Sequence, residues 1–125
     1  MTAPPSVFER LTALADATRS RLVALLERHE LTVSELCAIL QLPQSTVSRH
    51  LKVLVDDGWV MSRAEGTSRL YHIESRLDDS ALKLWSLVRE ELDRTPAASQ
   101  DARRLESVVA QRRTRSRTFF SSRSF

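Results

Sequence analysis

Glycine is scarce: Gly58 and Gly66 are the only two in 125 residues. Loops that cradle phosphates need several glycines, so this chain does not read as a nucleotide-dependent enzyme. Cysteine is scarcer still, with Cys37 alone, which excludes an intrachain disulfide framework and fits a reducing cytoplasm. Long apolar runs are missing. The first ten residues, MTAPPSVFER, hold no apolar core of signal-peptide length, and no stretch is long and apolar enough to span a membrane. The three histidines, His29, His50 and His72, fall in separate elements, and no nucleophile–base pair stands out. The expectation is an intracellular, cytoplasmic non-enzyme with no cofactor, no catalytic residues and no membrane partner.

What is present is a single domain's worth of chain, large enough to bury a core without staples. Its net charge of +3 is unevenly placed. The first hundred residues hold 12 basic and 14 acidic side chains, so the basic excess lies entirely in residues 101–125. The high pI therefore describes the tail, and by itself says little about nucleic acid. Local charge says more. Between Glu35 and Asp56 the only formal charges are Arg49 and Lys52.

Apolar spacing divides the chain into helices and one hairpin. Ser6 caps a first helix, about 7–16, and Asp16 or Thr18 opens a second, about 18–29. Thr32 followed by Glu35 is a capping box for a third, about 33–40. Pro43 belongs in the turn or at the first position of the fourth helix, which runs to about Asp57 and stops at Gly58. Trp59–Ala64 and Arg69–Glu74 form a hairpin around a four-residue tip, Glu65-Gly66-Thr67-Ser68. A fifth helix covers about 79–94 and ends at Thr95-Pro96; a last helical pattern runs from Ser99 to about Phe120, with a disordered SSRSF end. The expected class is mainly α with a small β-hairpin: a winged helix-turn-helix with helices flanking a three-helix core, dimeric. Residues 1–94 form the reading and dimerisation domain, and 95–125 a basic C-terminal helix and tail.

The fourth helix carries the functional signal. It buries Val47, Leu51, Leu54 and Val55, and so turns Gln44, Ser45, Thr46, Ser48, Arg49, His50 and Lys52 outward. Short polar side chains let a backbone approach base edges closely, and Gln pairs with adenine. Arg49 and Lys52 suit guanine or phosphate, and spacing alone leaves that choice open. In the hairpin, Arg63 and Arg69 bracket Gly66, Thr67 and Ser68, as a wing would along phosphates or in a minor groove. The expected partner is double-stranded DNA. The fifth helix carries two apolar stripes, Ala81-Leu84-Trp85-Val88-Leu92 and Leu77-Leu82, more than one core contact requires. They read as a dimer seam completed by Val7, Leu11 and Leu14, or else as one thick core.

The segments LADATRSRLVALL, STVSRHLKVLVDDG and AEGTSRLYHI closely resemble those of the arsenic-repressor-like (ArsR-type) winged-helix regulators, over about residues 8–94. The resemblance implies a homodimer paired through its first and fifth helices, reading a palindromic operator and repressing until a metal or other effector binds. Metal-sensing members often carry ELCVCDL in the third helix; here Glu35-Leu36-Cys37-Ala38-Ile39-Leu40 has an isoleucine in place of the second thiolate. Others bind zinc or nickel through Asp and His on the fifth helix, which here has Asp78, Asp79, Glu90, Glu91 and Asp93 but no histidine. One thiol cannot supply the set a soft metal needs. The expectation is no metal at either place, an unknown small-molecule effector, and Cys37 as a small buried hydrophobe. RRLESVVAQRRTRSRTFF resembles the linker helix of regulators fused to an S-adenosylmethionine-dependent methyltransferase, here without the enzyme. Two readings stay open for it: such a linker, or a basic amphipathic tail that packs on the dimer or holds DNA. The rival function is a methyltransferase regulatory or dimerisation module that no longer binds DNA.

Overall fold

A computed structural model describes residues 3–122, with side chains as far as Arg115. Its elements are α1 (Val7–Leu14), α2 (Ala17–Arg28), α3 (Val33–Leu40), α4 (Gln44–Asp56), β1 (Val60–Glu65), β2 (Ser68–Ile73), α5 (Asp79–Leu92) and α6 (Pro96–Ser122). Each start has a local cause. Ser6 Oγ accepts from the Glu9 amide at 3.2 Å, Asp16 from Arg19 at 3.1 Å, and Asp78 from Ala81 at 2.9 Å. Thr32 and Glu35 form the reciprocal capping box, at 2.9 and 3.2 Å.

The turn between α3 and α4 hinges on Gln41, whose left-handed φ of 58° redirects the chain at some backbone cost. Pro43 sits at the N-cap of α4, one place before the first helical residue, and offers no side-chain cap. Gly58 ends α4 with φ +78°, and the Gly58 and Trp59 amides reach back to Val55 and Leu54 carbonyls at 3.2 and 2.9 Å. That is the six-to-one, five-to-two closure that favours glycine at this position. The hairpin is tighter than its sequence implies: Glu65 pairs with Ser68, leaving a two-residue loop, Gly66-Thr67. Gly66 at φ +58° supplies the positive first position of a type II′ turn, whose twist matches the strands. Leu31 adds a single bridge to Tyr71 on the other edge of β2, at 3.1 and 2.9 Å.

One apolar core joins every helix. Leu22 and Leu26 of α2, Leu36 and Ile39 of α3, Val47, Leu51 and Leu54 of α4, and Trp59 are all fully enclosed. Trp59 and Trp85 lie 6.4 Å apart, tilted by 58°, and tie α5 to the junction between α4 and β1. Val55, expected inside, is 40% exposed, because the buried stripe of α4 follows 47, 51 and 54 and position 55 falls beyond its edge.

The largest departure is α6. It begins at Pro96, not Ser99, because the Thr95 hydroxyl accepts from the Ala98 amide at 3.4 Å and proline suits a first helical position. It continues through Ser121 and Ser122, so the helix enters the expected disordered end; residues 123–125 lie outside the described residues. Leu105 and Val108 enter the core. Asp101, 4% exposed, accepts from Nε and Nη2 of Arg21, each at 2.8 Å. Farther along, Arg104 donates to the Ile39 carbonyl at 3.3 Å, and Arg112 pairs with Glu35 and donates to the Glu30 carbonyl at 3.2 Å. The helix thus lies antiparallel along α3.

Candidate nucleic-acid interface

With 47, 51 and 54 committed to the core, helical geometry brings Ser45, Ser48, Arg49 and Lys52 onto one exposed stripe of α4. Arg49 makes no hydrogen bond or ion pair among the described residues, so its donors face solvent. Lys52 is held loosely by Asp56 at 3.1 Å, an exposed i,i+4 pair of small energetic weight. Gln44 is exposed at the first turn, where the backbone also comes nearest to any surface the helix enters.

Two of the residues expected on this face are turned from it. Thr46 is half-buried. His50 faces α2, with Nδ1 3.2 Å from an Arg19 guanidinium nitrogen. Arginine only donates, so His50 Nδ1 accepts. Arg19 also donates to the Ala13 and Thr12 carbonyls, at 2.6 and 3.3 Å. The histidine therefore anchors α4 to the α1–α2 junction, a role that lies in a tertiary contact 31 residues distant and left no local sequence signal.

The wing divides its arginines. Gly66, Thr67, Ser68 and Arg69 are exposed at and beside the tip, and Arg69 donates to Ser62 Oγ at 2.9 Å, which leaves its charge unmatched. Arg63 is clamped. It donates to both carboxylate oxygens of Glu30 at 2.8 and 2.9 Å and to Glu65 at 2.7 Å. Its partners raise its pKa, and the Glu30 carboxyl in turn is held below its ordinary range by Arg63. Of the two arginines that bracket the tip, one has its charge already matched twice.

The expected seam residues also separate. Leu14 is 6% and Trp85 2% exposed, so both belong to the chain's own core. Leu92 turns toward α2 and α6. Val7 and Leu11 remain exposed on α1, joined by Phe8, which is 75% exposed; on α5, Leu84 and Val88 are half-buried and Leu87 is 62% exposed. Phe8 and Leu87 were not among the expected set; their signal was helical spacing from Leu11 and from Leu84. Arg10 ties the two helices together, donating to Asp78 at 3.1 Å with its guanidinium 5.9 Å from the Trp59 ring.

No three of His, Cys, Asp or Glu converge on a metal-sized site among the described residues. At the α3 position in question, Ile39 is fully buried core and Cys37 stands as one half-buried thiol, pushed up in pKa by that burial. These residues do not fit a soft metal. No helix of the described residues is long and apolar enough to cross a membrane.

Comparison with known proteins agrees with this geometry. Residues 16–62 match the family described as bacterial regulatory protein, arsR family. The arsenic resistance transcriptional regulator ArsR1 of Pseudomonas putida is 42% identical over 71 residues; the match covers 56% of this chain and 53% of that protein, about half its length. An uncharacterised HTH-type transcriptional regulator of Methanocaldococcus jannaschii is 36% identical over 83 residues, 66% of this chain and 90% of that one. Among solved structures, a homodimeric winged helix-turn-helix DNA-binding domain from Mycobacterium bovis superposes with a TM-score of 0.59 at 28% identity, covering 72% of this chain and 81% of that chain.

Proposed function

The chain belongs to the ArsR family of bacterial regulatory proteins, and on that premise we propose that it is a homodimeric, sequence-specific DNA-binding repressor. The observation that carries the reading is the exposed stripe Ser45, Ser48, Arg49 and Lys52, unpaired at Arg49 and backed by a fully enclosed core. That stripe with Gln44 enters a major groove, where an α-helix fits and Arg reads guanine or phosphate. The wing contributes through Thr67, Ser68 and Arg69, adding salt-sensitive affinity from the backbone. Thr46, His50 and Arg63 support the reading surface instead of touching the duplex.

In this reading, Val7, Phe8 and Leu11 of α1 meet Leu84, Leu87 and Val88 of a second copy, and the two α4 helices reach a palindromic operator about one helical turn apart. Residues 1–94 are the reading and dimerising unit, and 95–125 carry a brace that resembles a fusion linker, its α6 lying against α2 and α3 through residues Asp101 to Arg112. The effector acts elsewhere than through the family's Cys or His metal positions. The methyltransferase-module alternative is not favoured, since the relatives named above are transcriptional regulators or DNA-binding domains.

The test is fluorescence anisotropy with duplexes from the DNA upstream of the protein's own coding region, at fixed moderate salt. A specific duplex should bind far more tightly than a scrambled one. Equal affinity for both would overturn the reading. Arg49→Ala should weaken the specific complex about tenfold or more while the dimer stays folded.

A further inference from the structure

A cleft of about 460 Å³ opens where α2, α5 and α6 meet, a volume suited to a small ligand. Its apolar lining comes from Ala24, Leu25, Leu92, Ala98 and Ala102. Four of its charged groups are already matched in pairs: Arg21 with Asp101 at 2.8 Å, and Arg89 with Glu27 at 3.1 Å. Two are not. Arg28 and Asp93 both line the cleft, yet neither side chain joins an ion pair or hydrogen bond among the described residues, with each other or with any third group. The cleft therefore presents one unmatched cation and one unmatched anion, both exposed at its rim and not paired with each other, beside an apolar lining.

We propose that this cleft binds a small zwitterion of the α-amino acid type with an apolar side chain. Its carboxylate meets Arg28, its ammonium meets Asp93, and its side chain lies on Ala24, Leu25 and Leu92. Each contact is a charge-assisted hydrogen bond, the class that gains most from an oriented partner. The site is also placed to be felt elsewhere. Arg89, Leu92 and Asp93 occupy the flank of α5 opposite Leu84 and Leu87, and the Trp85 indole donates to Glu27 at 3.0 Å beside the cleft. A ligand wedged between α2 and α5 biases the angle at which α5 leaves the reading motif, so in the repressor reading it is the effector. That consequence rests on the proposed function; the binding itself does not.

The experiment is an NMR titration of the full chain with L-leucine and L-phenylalanine, with phenylalaninamide and N-acetylphenylalanine as probes lacking one charge each. A free amino acid should saturate with amide shifts centred on Ala24, Ala98 and Ala102. Both single-charge probes should bind about tenfold more weakly or worse, as should the amino acids to Arg28→Gln and Asp93→Asn, two exposed substitutions that leave the core intact. Equal affinity for all probes, shifts centred elsewhere, or no saturation by about 10 mM overturns the site. Operator binding is measured separately. A chain that takes the amino acid but no duplex keeps the cleft and loses the repressor reading; one that binds duplex but neither amino acid keeps the repressor and loses the cleft.

Discussion

Arg63 and Arg69 lie on paired strands of one hairpin, but only Arg69 brings a net charge to the surface around it. The Glu30 and Glu65 carboxylates surround Arg63 at 2.7–2.9 Å, so a phosphate would have to displace them to gain its guanidinium. Log affinity falls with log salt in proportion to the phosphates neutralised. Arg69→Ala should therefore reduce the salt slope of operator binding by about one, whereas Arg63→Ala leaves the slope unchanged. Measured affinities over a range of salt decide it, and a slope lost equally in both variants would return Arg63 to the contact surface. His50 belongs to the same lesson. Its place on a polar helix face looks outward in one dimension, and Arg19 draws it inward in three.

At the scale of elements, α6 is held to α2 and α3 by Leu105 and Val108 in the core as well as by polar clasps. Arg21 and Asp101 form the deeper one, with side chains 19% and 6% exposed. Removing one partner strands the other in a partly desolvated place, so Asp101→Ala should cost about 2 kcal/mol, seen as a lower urea midpoint. The clasp at Glu35 is sensitive to acid. Burial alone would raise that carboxyl, but the Arg112 guanidinium and the Thr32 donors outweigh it and hold its pKa below 4.5. A depressed native value means that its stabilisation is present above 4.5 and is lost as pH falls through the native pKa. Glu35→Gln should flatten the part of the stability–pH curve that lies below 4.5, and an unchanged curve would assign the acid loss to other carboxylates.

At the scale of the whole molecule, an apolar surface on α1 and α5 stays uncovered among the described residues. Phe8 and Leu87, at 75% and 62% exposed, stand on two helices that pack together through Arg10 and Asp78. Large exposed apolar side chains on adjoining elements mark an interface. Leu87→Glu should convert the dimer to a folded monomer in sedimentation velocity. It should also abolish cooperative binding to a two-half-site duplex, since a lone reading helix gives up half its contacts. A variant that sediments as the parent does would place the seam elsewhere.

The order of helices and hairpin, the capping box at Thr32 and Glu35, the stop at Gly58 and the stripe of α4 were all legible in the sequence. Each depends on neighbours within a turn or two, where periodicity and capping chemistry operate. The same rule placed Val47, Leu51, Leu54 and Val55 inside, and the structure buries the first three but leaves Val55 40% exposed. Contacts between residues far apart in the chain were not legible: Glu30 on Arg63, Arg19 on His50, and Arg112 on Glu35. Nor did spacing separate the two flanks of α5, whose apolar positions run continuously around the helix. Packing alone sent Trp85 and Leu92 inward and left Leu87 in solvent, because a helix's pattern fixes which residues share a side but not what lies against it.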